Sequence, residues 1–309
     1  MHDNEPMILL DRLRYRFRPV DTHGMNKPTQ ISGIIALIMT VCIVASARAV
    51  EVPFDPSRGL VEVNVLVDGR ASGLFGIDTG ADRLYVNSEF VEDNDLHPKS
   101  GPPQRPIVGV HGTSEAKALD IRSLRIGNET LYNLDATVID LSALVSDEVT
   151  DHPDGLIGYE VLKRFYVTVD FPNRLMQLRT GEPDDIQAVR KSFIPFRQER
   201  HMIVVDVVFN DDIEVPMVLD YCASQTSLSP DLADDLGLDA EVGDRMVIDK
   251  VELSGKLASY NVPCVVTDMS RIKDAVRGVD IEGLLGGTFL QGFKITIDYT
   301  RKKIYLHPR

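Results

Sequence analysis

The chain contains an internal repeat, which restricts it to folds that can be built twice around the same element. Asp78 and Asp220 each follow a short apolar run that is typical of a strand leading into a turn. A β-branched segment precedes each aspartate at the same distance, starting at Leu60 in the first copy and at Met202 in the second. These matching segments predict two homologous lobes, each made mainly of strands.

Turn and capping signals recur at matching places in the two copies. Asp68-Gly69 and Asn210-Asp211 are dipeptides typical of β-hairpin turns. Ser229 followed by Pro230 is typical of a helix N-cap and first turn. We therefore expect a short helix there and at the matching place after Val86.

A third block strengthens the repeat because its anchors have equal spacings in both copies. Each copy has an aspartate, then a Gly-apolar-apolar-Gly motif, then a second aspartate, and both intervals are the same in the two copies. These anchors are Asp140, Gly155 to Gly158 and Asp170 in the first copy, and Asp268, Gly283 to Gly286 and Asp298 in the second. We interpret Asp170 and Asp298 as hairpin-turn residues rather than metal ligands.

The repeat predicts a mostly β, bilobal protein in which each lobe is a small barrel or sandwich with short helices, and the lobes are related by a pseudo-two-fold axis. The predicted divisions are an N-terminal extension with a signal peptide over residues 1–49, a first lobe over 52–182, a linker over 183–197 and a second lobe over 198–309.

The N-terminal extension has the features of an export signal. An apolar run over residues 31–45 follows Lys27, and Ala47-Arg48-Ala49 resembles a cleavage site. We expect a periplasmic or secreted protein after cleavage near Ala49, and a translation start at Met25 would give a signal of ordinary length. The alternative is a membrane anchor formed by residues 31–49.

Charge and residue types exclude several function classes. The net charge is −14, and it is −16 without residues 1–49, which argues against nucleic acid or an anionic membrane as partner of the mature chain. No zinc, phosphate-loop or serine-hydrolase motif is present, so we expect no metal and no cofactor. We interpret the scattered histidines, including His201, as surface or loop residues. Cys222 and Cys264 could pair in an oxidising compartment.

A pseudo-two-fold arrangement would place the loop of Asp78 against the loop of Asp220. Two carboxylates in contact cannot both ionise readily, so they share a proton over a range of pH. One can then accept a proton from water while the other donates one to a carbonyl oxygen. This chemistry hydrolyses an amide bond without a metal or a covalent intermediate.

These motifs make the chain resemble the retropepsin-like aspartic proteases of the pepsin superfamily over about residues 55–309. The active-site motif is similar to Asp78-Thr79-Gly80-Ala81, and the apolar-apolar-glycine motif is similar to Leu156-Ile157-Gly158 and Leu284-Leu285-Gly286. The segment from Ile107 to Gly112 is similar in placement to the flap. The resemblance implies a bilobal pepsin-like fold and an aspartic endopeptidase that acts on peptides or proteins, without a cofactor and as a monomer.

The resemblance also implies a role for each matching residue. Asp78 and Asp220 would be the catalytic dyad, and Thr79 would brace their two loops. The residues that support the active-site loops would be Thr79, Gly80, Ala81, Tyr221, Cys222 and Ala223. The flap, which would bind substrate, would contain Val108, Gly109, Val110, His111 and Gly112. The motif beneath the loops would contain Leu156, Ile157, Gly158, Leu284, Leu285 and Gly286. Because the alanines cannot donate a side-chain hydrogen bond to a carboxylate, we expect a less acidic pH optimum than that of digestive relatives.

The second copy departs from the family pattern. Tyr221 stands where the family has Thr or Ser, and Cys222 stands where it has Gly. Tyrosine places its hydroxyl further out, and a cysteine would be strained if its position required a positive φ. We expect an active, asymmetric protease. The alternatives are a catalytically impaired pseudoprotease that binds extended peptides and a purely structural β protein.

Overall fold

The computed structural model describes residues 49–109, 112–144, 151–275 and 279–308, most of which lie in strands. The strands are β1 (Ala49–Pro53), β2 (Glu62–Val67), β3 (Ala71–Ile77), β4 (Leu84–Asn87), β5 (Gln104–Val108), β6 (Thr113–Ile126), β7 (Glu129–Ile139), β8 (Gly155–Ile157), β9 (Tyr166–Asp170), β10 (Leu175–Arg179), β11 (Phe193–Pro195), β12 (Arg197–Glu199), β13 (Met202–Phe209), β14 (Ile213–Leu219), β15 (Thr226–Leu228), β16 (Arg245–Leu253), β17 (Leu257–Val266), β18 (Gly283–Leu285), β19 (Lys294–Asp298) and β20 (Lys303–Leu306). The α-helices are short: α1 (Ser88–Asp93), α2 (Tyr159–Leu162), α3 (Ile186–Val189), α4 (Pro230–Asp235), α5 (Ser270–Ala275) and α6 (Gly287–Leu290).

Each copy of the repeat forms a closed six-stranded barrel. The first has the strand order β2-β3-β8-β4-β7-β6, and pairing of β2 with β6 closes it. The second has the equivalent order β13-β14-β18-β15-β17-β16 and is closed by β13 and β16. Along β6, exposed and buried side chains alternate, as expected of a strand with one face toward a core. The predicted mostly β, bilobal fold class is therefore confirmed.

A third sheet contains strands from both copies and joins the barrels. Its order is β1-β10-β9-β19-β20-β11, so β9 of the first copy pairs directly with β19 of the second. In this pair Thr168 lies opposite its repeat equivalent Thr296, and their buried hydroxyl oxygens are 2.7 Å apart. The pseudo-two-fold axis therefore passes between these two strands. The predicted linker segment contains α3 and supplies β11 to this sheet.

The predicted turns and caps form as the sequence indicates. Asp68 and Gly69 both have positive φ, and so do Asn210 and Asp211, which is the geometry of tight β-hairpin turns. Helix α4 begins after Ser229, whose hydroxyl accepts a hydrogen bond from the amide of Leu232 at 3.0 Å. The matching helix α1 follows β4 directly.

The repeated aspartates at the ends of β9 and β19 cap turns, as predicted. Asp170 accepts a hydrogen bond from the amide of Asn173 at 3.0 Å, and Asp298 accepts one from the amide of Arg301 at 2.9 Å.

The predicted signal peptide lies almost entirely in residues 1–48, outside the described residues. Among the residues that the structure describes, no helix is long and apolar enough to cross a membrane.

Candidate active site

The two aspartates lie at equivalent forks in the two barrels. In the first, β8 is inserted between β3 and β4, parallel to β3 and antiparallel to β4. The insertion separates two strands that follow each other in sequence, so the chain must cross over the end of β8 in a loop that starts at Asp78. The amide of Asp78 donates to the carbonyl of Ile157 at 3.0 Å, and the amide of Asp220 donates to that of Leu285 at 3.1 Å.

The glycine motifs lie directly beneath these loops. A Cβ atom at Gly158 would lie 2.4 Å from the carbonyl oxygen of Arg83 and 2.6 Å from that of Ala81. A Cβ atom at Gly286 would lie 2.3 Å from the carbonyl oxygen of Gln225 and 2.6 Å from that of Ala223. Only glycine allows the backbone this close approach. Both glycine motifs therefore lie against the backbone of these loops.

The structure brings the carboxylates of Asp78 and Asp220 together on either side of Gly80. A Cβ atom at Gly80 would lie 3.1 Å from Oδ2 of Asp220 and 3.2 Å from Oδ1 of Asp78. A side chain at this position would crowd both carboxylates. Both aspartates are half-buried.

Backbone amides hold each carboxylate in the same way. The amide of Gly80 donates to Oδ1 of Asp78 at 2.8 Å, and the amide of Cys222 donates to Oδ1 of Asp220 at 2.7 Å. The amides of Ala81 and Ala223 also stabilise the ionised form of the respective aspartate and so lower its pKa.

The electrostatics of the pair favour a shared proton. Removal from water is the largest cause that raises the pKa of Asp78, and the nearby charge of Asp220 raises it further. Removal from water also raises the pKa of Asp220. The amide hydrogen bonds act in the opposite direction because they stabilise the ionised form, but they do not compensate for desolvation. The pair therefore retains a proton at pH values where an ordinary aspartate is fully ionised.

The brace between the two loops comes from the first loop alone. Thr79 is fully buried, and its hydroxyl donates to the carbonyl of Leu219 at 2.7 Å. The same hydroxyl accepts a hydrogen bond from the amide of Tyr221 at 3.2 Å. Thr79 thus contacts the backbone on both sides of Asp220, as its predicted role requires.

Tyr221 does not provide the reciprocal brace. Its ring is buried and packs against Phe171, with ring centroids 6.1 Å apart. Its hydroxyl has no hydrogen-bond partner among the described residues. The second loop instead uses its backbone, because the carbonyl of Tyr221 accepts a hydrogen bond from the amide of Val61 at 3.4 Å.

Cys222 fits because a glycine faces it in the other lobe. A Cβ atom at Gly76 would lie 3.1 Å from Sγ of Cys222, so the thiol occupies space that a larger residue would fill. The repeat equivalent of Gly76 is Val218, and that of Cys222 is Gly80. The first lobe therefore has glycine at both positions, and the second lobe has a larger residue at both. Cys222 does not adopt a positive φ, so the strain considered for it is absent.

Cys222 and Cys264 are free thiols in this structure. Cys222 is half-buried in the second loop, and Cys264 is buried in β17. Burial is the largest cause that raises the pKa of the Cys222 thiol, and the carboxylates of Asp78 and Asp220 raise it further. The thiol therefore stays protonated and weakly nucleophilic.

The predicted flap forms part of a hairpin of β5 and β6. Val108 ends β5 and is exposed, and the amide of Gly109 donates to the carbonyl of Gly112 at 2.9 Å. Both glycines lie against the segment Ser142–Leu144. Val110 and His111, which also belong to the predicted flap, lie outside the described residues.

His201 contacts the loop of Asp78, which the sequence did not predict. It lies in a turn, in agreement with the interpretation as a loop residue, but it is half-buried and its Nε2 atom is 2.8 Å from the carbonyl oxygen of Gly80. The sequence does distinguish this position, because the repeat aligns His201 with Gly59 and so places a large side chain where the first copy has none. Among the described residues, no group of three or more His, Cys, Asp or Glu could hold a metal ion.

Comparison with known proteins gives an independent view of the repeat. The family model described as aspartyl protease matches residues 63–161 and 205–289, which together cover more than half of the chain. The two segments begin and end at equivalent positions of the repeat.

Among solved structures, a retropepsin-like aspartic protease from Rickettsia conorii is similar over 43% of this chain and 91% of that chain, with 19% sequence identity and a TM-score of 0.33. No curated protein matches the chain.

Proposed function

Because this chain belongs to the aspartyl protease family, we propose that it is an aspartic endopeptidase whose dyad is Asp78 and Asp220. The ionised member of the pair accepts a proton from a water molecule, which attacks the peptide carbonyl. The protonated member donates to the carbonyl oxygen as the tetrahedral intermediate forms. Collapse of the intermediate with proton transfer to the departing nitrogen completes the cleavage.

The observation that carries this proposal is the equal support of the two carboxylates. Each accepts a hydrogen bond from an amide of its own loop, a second amide of that loop also lowers its pKa, and the backbone amide of each aspartate is tied to the strand beneath. The departures at Tyr221 and Cys222 leave these donors in place, because only backbone groups are used. This equal support favours a working dyad although the second motif differs from the family pattern.

An extended peptide or protein segment is the proposed substrate. The hairpin strand β5 is an edge of its sheet, since it pairs only with β6 among the described strands. An edge strand has unpaired amides and carbonyls that can bind another strand. We propose that the substrate lies between this flap and the dyad.

The test is digestion of a peptide library over pH 3–7 by the wild type and by the Asp78→Asn and Asp220→Asn variants. Loss of a general acid or base should lower the rate of cleavage by about 10²- to 10⁴-fold in each variant. The Asp82→Asn variant is a control, because Asp82 lies in the same loop but ion-pairs with Arg83 rather than joining the dyad. Activity that survives in either dyad variant would contradict the proposal.

A pseudoprotease that binds peptides without cleaving them is the second candidate. The one-sided brace favours it, because the hydroxyl of Tyr221 makes no hydrogen bond among the described residues. Binding of library peptides without cleavage at any pH, in the wild type as in both dyad variants, would select this candidate.

We also propose that the protein is exported and acts as a monomer. The apolar run over residues 31–45 and the following Ala-x-Ala sequence support export. The presence of both aspartates in one chain supports a monomer, since no second copy is needed to complete the dyad. N-terminal sequencing of the exported protein and its mass in solution test these points. An N-terminus upstream of residue 31, or a stable dimer, would contradict them.

A further inference from the structure

His201 is placed rigidly against the first catalytic loop by a very tight turn. Strands β12 and β13 pair so that Glu199 lies opposite Met202, which leaves only Arg200 and His201 in the turn. Arg200 has a positive φ of 56°, as expected in a two-residue hairpin. The imidazole therefore projects from a fixed point of the second lobe, and its half-buried Nε2 reaches Gly80 of the first lobe.

The peptide unit that His201 contacts also serves the dyad. The carbonyl of Gly80 and the amide of Ala81 belong to one trans peptide group, so they point in opposite directions. The carbonyl accepts from Nε2 of His201 at 2.8 Å. The amide stabilises the ionised carboxylate of Asp78 and so lowers its pKa. A donor on the carbonyl polarises the peptide and makes its amide a stronger donor.

The second catalytic loop has no equivalent of this contact among the described residues. The repeat equivalent of His201 is Gly59, which has a φ of +73°. A Cβ atom at Gly59 would lie only 2.8 Å from the carbonyl oxygen of Ser224. No side chain can therefore act on the loop of Asp220 from that position. Among the described residues, only the loop of Asp78 has this contact.

We propose that His201 is a positioning residue that acts on Asp78 through the Gly80–Ala81 peptide and favours the ionised form of that carboxylate. This inference rests on the proposed function of the dyad. The imidazole donates from Nε2 when it is neutral, so the contact needs no protonation of His201. It makes the two aspartates inequivalent although their own loops support them equally.

The charged groups around His201 are consistent with a neutral imidazole at neutral pH. Burial is the largest cause that lowers its pKa, and Arg200 and Arg83 lower it further. Asp82 and the hydrogen bond to Gly80 act in the opposite direction without cancelling the effect of burial. The side chain therefore serves as a fixed donor over the range in which the dyad would work.

Two variants with amide side chains distinguish the effect of the hydrogen bond of His201 from the effect of its packing. In His201→Gln the side-chain nitrogen can reach the position of Nε2, whereas in His201→Asn it reaches only the position of Nδ1. We expect His201→Asn to lower kcat about tenfold with little change in KM, and to move both limbs of the pH–rate profile upward by several tenths of a pH unit. His201→Gln should stay within about threefold of the wild type, since it keeps the donor.

A second measurement does not depend on cleavage. The pKa of the Asp78 carboxyl, followed by carbon-13 NMR in the full chain, should rise in His201→Asn and stay near the wild-type value in His201→Gln. A protein that cleaves no peptide but shows this difference retains the positioning contact while the proposed function fails.

The matched control is His307→Asn. His307 is also half-buried, and its Nε2 atom is 2.8 Å from the hydroxyl of Thr296, away from the dyad. This variant should leave both the pH profile and the Asp78 pKa unchanged even if it lowers the unfolding temperature. Equal values of the Asp78 pKa in the Asn and Gln variants of His201, or an equal shift in the His307 variant, would overturn the proposal.

Discussion

The loops of Asp78 and Asp220 share one backbone arrangement and differ in the side chains that surround it. Asp78 and Asp220 are held by equivalent amides, yet the brace between the loops comes from a threonine of the first loop, and the second loop supplies no counterpart among the described residues. Tyr221 uses its position for a buried ring rather than for a hydrogen bond. Backbone hydrogen bonds therefore support the two carboxylates alike, whereas the side chains around them differ between the lobes.

Gly76 and Cys222 show the same difference between the lobes. In a symmetrical dimer, any residue would appear twice and would have to fit both sides of the axis. In one chain, a larger residue in the second loop is accommodated by a glycine in the first barrel, and Val218 occupies the equivalent place in the second barrel.

Replacement of either aspartate should change how stability depends on pH. Because the pKa of each is raised in the folded state, the folded protein keeps a proton that the unfolded chain releases above about pH 4. Stability should therefore fall as pH rises toward neutrality, by at most about 1.4 kcal/mol per pH unit for one proton. Urea unfolding from pH 4 to 8 measures this slope.

Asp78→Asn and Asp220→Asn should both flatten the slope, since each removes one of the two carboxyl groups whose pKa is raised by folding. The Asp206→Asn variant is the control, because Asp206 forms an exposed ion pair with Arg197. A wild-type stability that rises between pH 5 and 7, with no change in the dyad variants, would contradict the shared proton.

Loss of the Thr79 hydroxyl should destabilise the protein by about 3 kcal/mol. Thr79→Val keeps the shape but leaves the carbonyl of Leu219 and the amide of Tyr221 without their buried partner. Thr137→Val is the matched control: that threonine is also buried, but its hydrogen bond goes to the exposed Gln104 side chain at 3.3 Å. Chemical unfolding of both variants measures the difference, and equal costs would show that the brace contributes nothing.

Placing a large residue at position 76 and a small one at position 222 should reveal an energetic coupling between Gly76 and Cys222. Gly76→Val alone should destabilise by about 1–3 kcal/mol, because the added side chain meets the thiol of Cys222 and the side chain of Leu156. Adding Cys222→Gly should recover about 1 kcal/mol or more, beyond the effect of Cys222→Gly alone. A double-mutant cycle of unfolding free energies gives this coupling directly. Additive effects would show that the two residues do not share the space.

Removal of the Tyr221 hydroxyl should have the smallest effect and the opposite sign. Tyr221→Phe removes a buried oxygen that has no partner among the described residues, so we expect an unchanged or slightly higher stability, by about 1 kcal/mol at most. In the control Tyr85→Phe, the hydroxyl that is lost donates to Asp82 at 2.5 Å, and stability should fall. A marked loss of stability in Tyr221→Phe would indicate a partner for the hydroxyl that the structure does not show.

Much of the fold could be predicted because the signals are local and occur twice. The turn dipeptides, the cap at Ser229 and the alternating strands are each set by a few neighbouring residues. Equal spacings then identify which segments correspond. The equivalence of Asp78 and Asp220 follows from this alignment, so the sequence alone predicts the candidate site.

The repeat, the strand-rich lobes and the pair of aspartates can be predicted from the sequence alone. What lies beside the aspartates depends on tertiary packing: the buried ring of Tyr221, the fit of Cys222 over Gly76 and the hydrogen bond of His201. The last of these joins residues 121 positions apart. Such contacts depend on how the shared sheet orients one barrel against the other, and that orientation arises from the whole interface rather than from any segment. The sequence pattern shows what the two halves have in common, whereas their differences lie in the packing between them.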